Sequence, residues 1–402
     1  MKIFYLFPRS GNAVGLPLAD TWRRNILPAL RHLGYEVEEY YEPTLEQLAG
    51  AEGQDPAWVR KNQGAFVDRV LEALKSCHRR KPIDLFLSYI WEPLFTPDGL
   101  REIRRLSIPT VNFFCNYYNG FDRIRALAPL FDFNWVSDRS ALPLYQQIGA
   151  RAVFLPMAAN PDVYHPYPVA REFPVAFVGG KYGNRPDYIF YLLQQNLPVR
   201  VWGPGWLPAG IQSPPAWTRL LTMVRRLPQR LFADGGIQFL RRRLQDELQA
   251  RFSKQRALQG QELALITGPP LEDEEMIQMY SRSQISLGFS VVGNSHLENS
   301  PVTQIRLRDF EAPMSGALYL TEYSEGIEEL YELEQEIAVF RTKEELADKV
   351  RFYLVHPDQA QRVRTAGRER ALRQHTWQQR FRDLFRQVGF ASDLRKEASL
   401  AQ

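Results

Sequence analysis

The residues best suited to chemistry are an arginine and a glutamate three positions apart, Arg308 and Glu311, in the segment RLRDFEAPMSGALYLT. Ser300, which a proline follows, is typical of a helix start, and Thr303 is an alternative cap. On either choice the two charged side chains share one helix face. A carboxylate there accepts two hydrogen bonds from a vicinal diol such as that of a ribose, while the arginine and the helix amino end attract phosphate.

An exposed ion pair is the alternative interpretation of Arg308 and Glu311, because surface pairs of this kind are common and contribute only about 0.2–1 kcal/mol. The apolar run at 316–320 follows the helix and completes a strand–helix–strand unit. Since ligands of such folds bind at the carboxyl ends of parallel strands, the start of this helix is expected to face a ligand cleft.

A second basic site precedes it in VAFVGGKYGNRPD, where glycines, Lys181 and Arg185 lie between a predicted strand and a predicted helix. Backbone amides freed by glycines, together with two cations at a helix start, suit a diphosphate. An ordinary strand–turn–helix joint explains the glycines equally well. The loop after the first strand carries Gly11 and Asn12 but lacks dinucleotide-site spacing, so it predicts only a weak anion or sugar contact.

Several familiar catalytic patterns are missing from the chain, which has no serine-nucleophile elbow, Walker loop, zinc-protease motif, Cys-x-x-Cys or Asp-x-Asp. We therefore predict no metal site and no bound cofactor. Cys77 and Cys115 show no metal-ligand spacing, which predicts reduced thiols in the cytoplasm. No window approaches the ~18 apolar residues of a membrane span, and the apolar run after Met1 is too short for a signal peptide.

The elements that must position these residues alternate between strand and helix along the chain. A length of 402 residues exceeds one ordinary core, so two domains are expected, over residues 1–165 and 166–372, with a proline-rich hinge between them. Predicted elements of the second domain include a strand over 262–268 and a helix near 304–313. The predicted fold class is α/β, with two doubly wound parallel sheets that leave a cleft between their carboxyl ends.

One basic segment breaks this alternation, since residues 207–260 have a helical pattern and are interpreted as a helical insertion. Ten Lys or Arg and three Asp or Glu lie within 218–256, a local charge of +7 against +4 for the whole chain. The segment packs as a lid, contacts another subunit, or meets an anionic membrane or acceptor. Base-reading motifs are not apparent, so no nucleic-acid partner is predicted.

The glycine loop with Lys181 and Arg185, the R-x-F-E block at 308–311 and the strand QISLGFS resemble the CgeB-like (spore maturation protein type) branch of the GT-B glycosyltransferases, in the group 1 superfamily. The similarity covers most of residues 80–390. It implies two facing Rossmann-like domains, with residues 373–402 crossing back to the first. By position, Glu311 would hold the ribose and Arg308 and Arg185 would lie near the diphosphate.

The same resemblance implies supporting contacts from Lys181, Ser315 and Gly316, and a UDP- or GDP-type sugar donor. The expected reaction is metal-independent transfer with retention to a glycan, lipid-linked or protein acceptor, in the cytoplasm or peripherally at the inner membrane face. Related retaining enzymes carry a glutamate where this chain has Thr303. A non-catalytic nucleotide-sugar or glycan-binding protein and a nucleotide-sugar epimerase are the alternatives.

Overall fold

The computed structural model describes residues 1–7, 21–40, 56–206, 260–269, 271–298 and 300–390. The predicted ligand contacts at Gly11 and Asn12 lie outside the described residues. The same holds for residues 207–259, and hence for almost all of the predicted basic insertion.

A six-stranded parallel sheet forms the first half of the chain. Its strands are β1 Lys2–Leu6, β2 Glu36–Glu39, β3 Leu85–Ser88, β4 Thr110–Phe114, β5 Phe133–Val136 and β6 Ala152–Phe154, in the order β2-β1-β3-β4-β5-β6. Its helices are α1 Thr21–His32, α2 Pro56–Arg80, α3 Pro97–Arg105, α4 Tyr117–Ile124 and α5 Leu142–Gln147. Strands β1, β3 and β4 are buried along their whole length, as expected when helices cover both faces of a parallel sheet.

A five-stranded parallel sheet forms the second half. Its strands are β7 Phe173–Val178, β8 Val199–Trp202, β9 Ser283–Gly288, β10 Tyr319–Glu322 and β11 Ala338–Phe340, in the order β11-β10-β9-β7-β8. The described helices are α6 Arg185–Gln194, α7 Gly260–Ile266, α8 Asp273–Arg282, α9 Arg308–Met314, α10 Lys343–Val355, α11 Pro357–Gln374 and α12 Trp377–Gln387. The predicted α/β class with two parallel sheets is confirmed.

The predicted strand over 262–268 is wrong, because most of this segment forms helix α7. Only its end reaches the sheet, through a bridge between Thr267 and Val201 and a hydrogen bond from the Gly268 amide to the Val201 carbonyl at 2.9 Å. Gly268 lies directly against Trp202, where an added Cβ would be 1.7 Å from the indole nitrogen. Close packing against this ring leaves no room for a continued strand of larger residues.

Helix α9 begins at Arg308, and the predicted start at Ser300 or Thr303 is wrong. The preceding segment is extended and pairs with the loop after β9, through an antiparallel bridge between Val291 and Thr303. The Val292 amide donates to the Val302 carbonyl at 2.9 Å. Tertiary pairing therefore takes the backbone groups that an earlier helix start would have used.

The last helix packs on the first half of the chain. Trp377 of α12 is fully buried, and its ring meets those of Trp22, Phe113 and Trp135 at centroid distances of 6.1, 6.4 and 5.9 Å. Arg380 donates to the carbonyls of Pro156 and Met157. The C-terminal helices thus connect the second sheet to the core of the first.

Candidate functional site

Three loops meet at the carboxyl edge of the second sheet, where β7, β9 and β10 end. Glu322, the last residue of β10, is 6% exposed and connects them. Its carboxylate accepts from the Asn184 side chain at 2.6 Å and from the amides of Ser290 and Val291 at 2.9 and 3.0 Å. Because all three strands are parallel, one carboxylate can hold the loops that follow them in a fixed arrangement.

The loop after β9 is held from its other side by Arg306. The guanidinium donates to the carbonyls of Phe289, Ser290 and Val291 at 2.9, 3.2 and 2.7 Å. The Arg306 amide donates to Asp309 at 2.6 Å, and burial raises the pKa of Asp309 to about 6. Charged groups of both signs therefore fix the backbone at this edge.

Arg185 lies beside this loop at the start of α6. It is 7% exposed, donates to the Gly180 carbonyl at 3.0 Å and stacks on the Tyr182 ring at 3.7 Å. Its Nε has no hydrogen-bond partner, and it forms no ion pair with any carboxylate of the described residues. Burial, helped by the nearby charges of Arg306 and Arg308, lowers its pKa to about 10. Arg185 is thus a desolvated cation that lacks a counter-ion in the described part of the chain.

Arg308 and Glu311 lie together on one side of α9, as predicted. Arg308 donates to the Tyr280 hydroxyl at 3.1 Å. Burial lowers the pKa of Arg308, but the larger combined effect of Tyr280 and Glu311 raises it above its ordinary value. Glu311 is 3% exposed and accepts a hydrogen bond from the Tyr164 hydroxyl. Burial raises the Glu311 pKa, against the opposing effects of Arg308 and Tyr164. An exposed surface ion pair is therefore excluded.

The other predicted contacts are Lys181, Ser315 and Gly316. Lys181 is exposed, and its ammonium lies over the rings of Phe190 and Trp206, at 5.7 and 5.9 Å. Ser315 and Gly316 follow α9 at its carboxyl end, where Gly316 has a φ of 72° and an added Cβ would be 3.1 Å from Pro166. The structure thus places Arg185 near Arg306 and Arg308, and Arg308 beside Glu311.

Sequence reasoning missed Arg306 and Glu322. Neither residue stands out locally, because the groups that each one binds are distant in the sequence. Glu322, for example, accepts a hydrogen bond from Asn184, 138 positions away. An acidic residue ending a buried apolar strand was the available signal for Glu322. Arg306 was visible only as the first arginine of the Arg-Leu-Arg run.

A cavity of about 970 Å³ separates the two halves of the chain, near the ends of β5 and β10. Its wall includes Thr303, which accepts from the Ser324 hydroxyl at 3.2 Å. Arg139 from the first half donates twice to Glu329 from the second, each time at 2.8 Å. Together these residues form a cleft beside the segment that leads into α9.

Cys77 and Cys115 are both buried free thiols. Among the helices of the described ranges, none is long and apolar enough to cross a membrane. No group of three or more His, Cys, Asp or Glu in the described part of the chain is arranged to hold a metal ion. The prediction of metal-independent chemistry stays a prediction.

Residues 189–386, just under half of the chain, match a family model described as glycosyl transferase-like. A comparison with curated proteins gives no match. Among solved structures, sucrose-phosphate synthase from Thermosynechococcus elongatus is similar with a TM-score of 0.56 at 15% identity, covering 98% of this chain and 100% of that one. AviGT4, a glycosyltransferase involved in avilamycin A biosynthesis, has a TM-score of 0.52 at 13% identity, with 96% and 98% covered.

Anabaena HepE in complex with UDP and glucose is also similar, with a TM-score of 0.51 at 12% identity, covering 96% of this chain and 99% of that one. These likenesses extend over nearly the whole chain and establish the fold of its two parallel sheets. The finer resemblance to CgeB-like proteins stays a prediction. The chain therefore has the GT-B fold of two parallel sheets, and residues 189–386 are similar to the glycosyl transferase-like family model.

Proposed function

We propose that this protein transfers a sugar from a nucleotide-diphosphate donor to an acceptor without needing a metal ion. The observation that carries the proposal is Arg185, a buried arginine without a carboxylate partner among the described residues, close to Arg306 and Arg308. An unpaired buried charge is unfavourable, and the usual remedy is a bound ion of opposite sign. A diphosphate at the carboxyl edge of the second sheet supplies that charge.

Charge development during transfer gives these arginines a catalytic use. When the bond between sugar and phosphate breaks, negative charge grows on the diphosphate while the anomeric carbon becomes cation-like. Guanidinium groups already held in place stabilise that charge without reorganisation, and loss of one such donor typically lowers the rate ~10²–10³-fold. Arg306 is fixed by three carbonyls and Arg308 by Tyr280, so both are held before the donor binds.

Glu311 is assigned to the ribose of the donor. It is a buried carboxylate beside Arg308 that accepts a hydrogen bond from the Tyr164 hydroxyl. A ribose diol offers two hydroxyl donors, which can replace the single one from Tyr164. The solved HepE complexes with UDP and with UDP-glucose, which share the fold, support a UDP-type donor, and a GDP-type donor is the alternative.

A nucleotide-sugar-binding protein without activity is the second candidate. It is favoured by Thr303, because this position carries a hydroxyl engaged with Ser324 in place of the glutamate of related retaining enzymes. The two candidates are separated by incubating the protein with a panel of UDP- and GDP-sugars and measuring release of the free diphosphate. Release that survives EDTA and is lost in Arg185→Met supports metal-independent transfer. Binding without release supports the second candidate, and reversible sugar interconversion indicates an epimerase.

A further inference from the structure

We propose that three arginines at the amino edge of the second sheet, Arg171, Arg364 and Arg368, form an anion site that binds a phosphate group. The group belongs either to inorganic phosphate or to the phosphomonoester headgroup of a membrane lipid, since the same chemistry recognises both. The inference does not depend on the proposed sugar transfer. It rests on hydrogen bonds, on buried donors without partners and on missing counter-ions in the described part of the chain.

Two of these arginines bind carbonyls at the start of β9. Arg171, from the segment that connects the two sheets, donates through Nη1 to the carbonyls of Ser281 and Ser283 at 3.2 and 2.8 Å. Arg364 of α11 donates through Nη2 to the Gln284 carbonyl at 2.6 Å. Because Ser283 and Gln284 are consecutive, both guanidinium groups lie at the beginning of the same strand.

Arg368 extends this group towards the beginning of β10. It follows Arg364 by four positions, so the two side chains lie on one face of α11. An added Cβ on Gly316, which precedes β10, would be 4.0 Å from Cδ of Arg368 and 3.1 Å from Pro166 of the connecting segment. Parts of the chain that are distant in sequence thus bring three arginines to one edge of the sheet.

Two donors of these arginines are buried without partners. Arg364 is 7% exposed, and neither its Nε nor the buried Nε of Arg368 has a hydrogen-bond partner among the described residues. Burial, together with the charge of Arg171, lowers the pKa of Arg364 to about 10, and burial also lowers the pKa of Arg171. Since buried polar groups are nearly always hydrogen-bonded, these donors indicate a missing acceptor.

The missing acceptor should carry negative charge. None of the three arginines forms an ion pair with a carboxylate in the described ranges, and Glu172, next to Arg171, is held instead by Arg282 at 2.8 and 3.2 Å. The carboxyl end of α8 offsets part of the Arg171 charge but leaves the other two. Buried charges are normally paired, and guanidinium groups bind phosphate oxygens in a bidentate manner, so a phosphate group is the acceptor that fits.

This site is separate from the proposed donor site. It lies where β9 begins, whereas the donor site lies where β9 ends, and a strand of six residues places the two edges roughly 16 Å apart. Helix α11 leads into α12, which packs on the first half of the chain. A bound phosphate would therefore tie the connecting segment to the helices that return to the first sheet.

Calorimetric titration with inorganic phosphate, at an ionic strength held constant with chloride, tests the proposal. The titration uses Arg185→Met, so that the proposed donor site contributes little. We expect saturable binding, and R185M/R368Q should bind phosphate at least ~10-fold more weakly because a charged donor is lost. R185M/R368K keeps the charge but loses the planar fork, and its affinity should fall between these two.

The matched control is R185M/R362Q, which removes an exposed arginine of the same helix. Arg362 forms no ion pair with any residue that the structure describes, so phosphate affinity should equal that of R185M. Arg368 makes no hydrogen bond with the described residues either, so its replacement should leave the fold intact. Absence of phosphate binding in R185M, or equal weakening by R362Q and R368Q, would count against inorganic phosphate.

Vesicle co-sedimentation distinguishes the two sources of phosphate. Vesicles of phosphatidylcholine with and without phosphatidic acid are compared for the wild type, R368Q and R362Q. Binding that requires phosphatidic acid and is lost only in R368Q identifies the lipid headgroup, whereas phosphate binding without this difference identifies the free anion. The proposal is overturned if neither assay separates R368Q from R362Q.

A parallel measurement separates this site from the proposed function. R368Q should keep the UDP stabilisation of the wild type, and its loss would overturn the claim of a separate site. Absence of UDP stabilisation in the wild type would contradict the proposed donor site, and the phosphate and vesicle assays would still decide this one.

Discussion

Replacing Arg185 by methionine should leave the free energy of unfolding without ligand nearly unchanged but weaken ligand binding. A pKa lowered to about 10 from 12.5 corresponds to about 3 kcal/mol of disfavoured charge in the folded protein. Methionine removes that charge at similar volume, but it also removes the bond to the Gly180 carbonyl, and a charged donor contributes about 1.5–3 kcal/mol. The two effects have opposite signs and similar size. The free energy of unfolding without ligand should therefore stay within about 1 kcal/mol of the wild type.

Stabilisation by UDP should respond very differently. At a UDP concentration 100 times its Kd, the wild type gains about 2.7 kcal/mol. Loss of one charged hydrogen bond weakens binding about 10–150-fold, so the same UDP concentration should stabilise Arg185→Met by only about 0.3–1.4 kcal/mol. Urea unfolding with and without UDP measures both quantities, and GDP is tested in the same way.

Arg171→Met is the matched control for Arg185→Met. Arg171 also donates to backbone carbonyls, those of Ser281 and Ser283 at 3.2 and 2.8 Å, and burial lowers its pKa too. It lies at the amino end of the same sheet, so UDP stabilisation should be unchanged in this variant. Full UDP stabilisation in Arg185→Met, or an equal loss in the control, would refute the reasoning.

Three further predictions follow from buried and interdomain contacts. Glu322→Gln should lower the free energy of unfolding by about 1–3 kcal/mol and raise the donor KM, because it weakens the hydrogen bonds from the Ser290 and Val291 amides. Urea unfolding measures the first change and initial rates measure the second. If the loops do not depend on this charge, neither quantity will change. Arg139→Ala should cost less than about 1 kcal/mol of stability, because its ion pair with Glu329 is exposed. Since that pair joins the two halves of the chain, its loss should increase the radius of gyration measured by X-ray scattering at low salt, and an unchanged radius contradicts this expectation. Burial holds the pKa of His375 at about 3, so below pH 6.5 the unfolded chain gains a proton that the folded protein does not. The free energy of unfolding of the wild type should therefore fall by about 1.4 kcal/mol per pH unit from pH 6.5 towards pH 3. Urea unfolding across that range should show no such contribution in His375→Gln.

The strands were predictable because burial on both faces makes each one a continuous apolar run. Strand β4 is an example, since all five of its residues are buried. Helix α1, at Thr21–His32, was predictable in the same way, because its buried residues recur on one side. The run at 262–268 was misassigned because short apolar runs are ambiguous between strand and helix, and its packing on Trp202 is not visible in the sequence.

The candidate site was predictable only where partners are close in sequence. Arg308 and Glu311 share a face because helical spacing requires it. The start of α9 was misplaced because the segment before it pairs with the loop after β9, a contact between distant residues. The hydrogen bonds by which Glu322 holds the three loops were unpredictable for the same reason, since two of its partners lie 138 and 32 positions away.

A crystal structure of the protein soaked with UDP tests the central claim most directly. We predict the diphosphate beside the glycine turn after β7, within hydrogen-bond distance, about 2.7–3.2 Å, of the Arg185 guanidinium, with Arg306 and Arg308 adjacent. UDP bound instead among the carboxylates of the interdomain cavity, or on a surface away from the second sheet, would contradict the account.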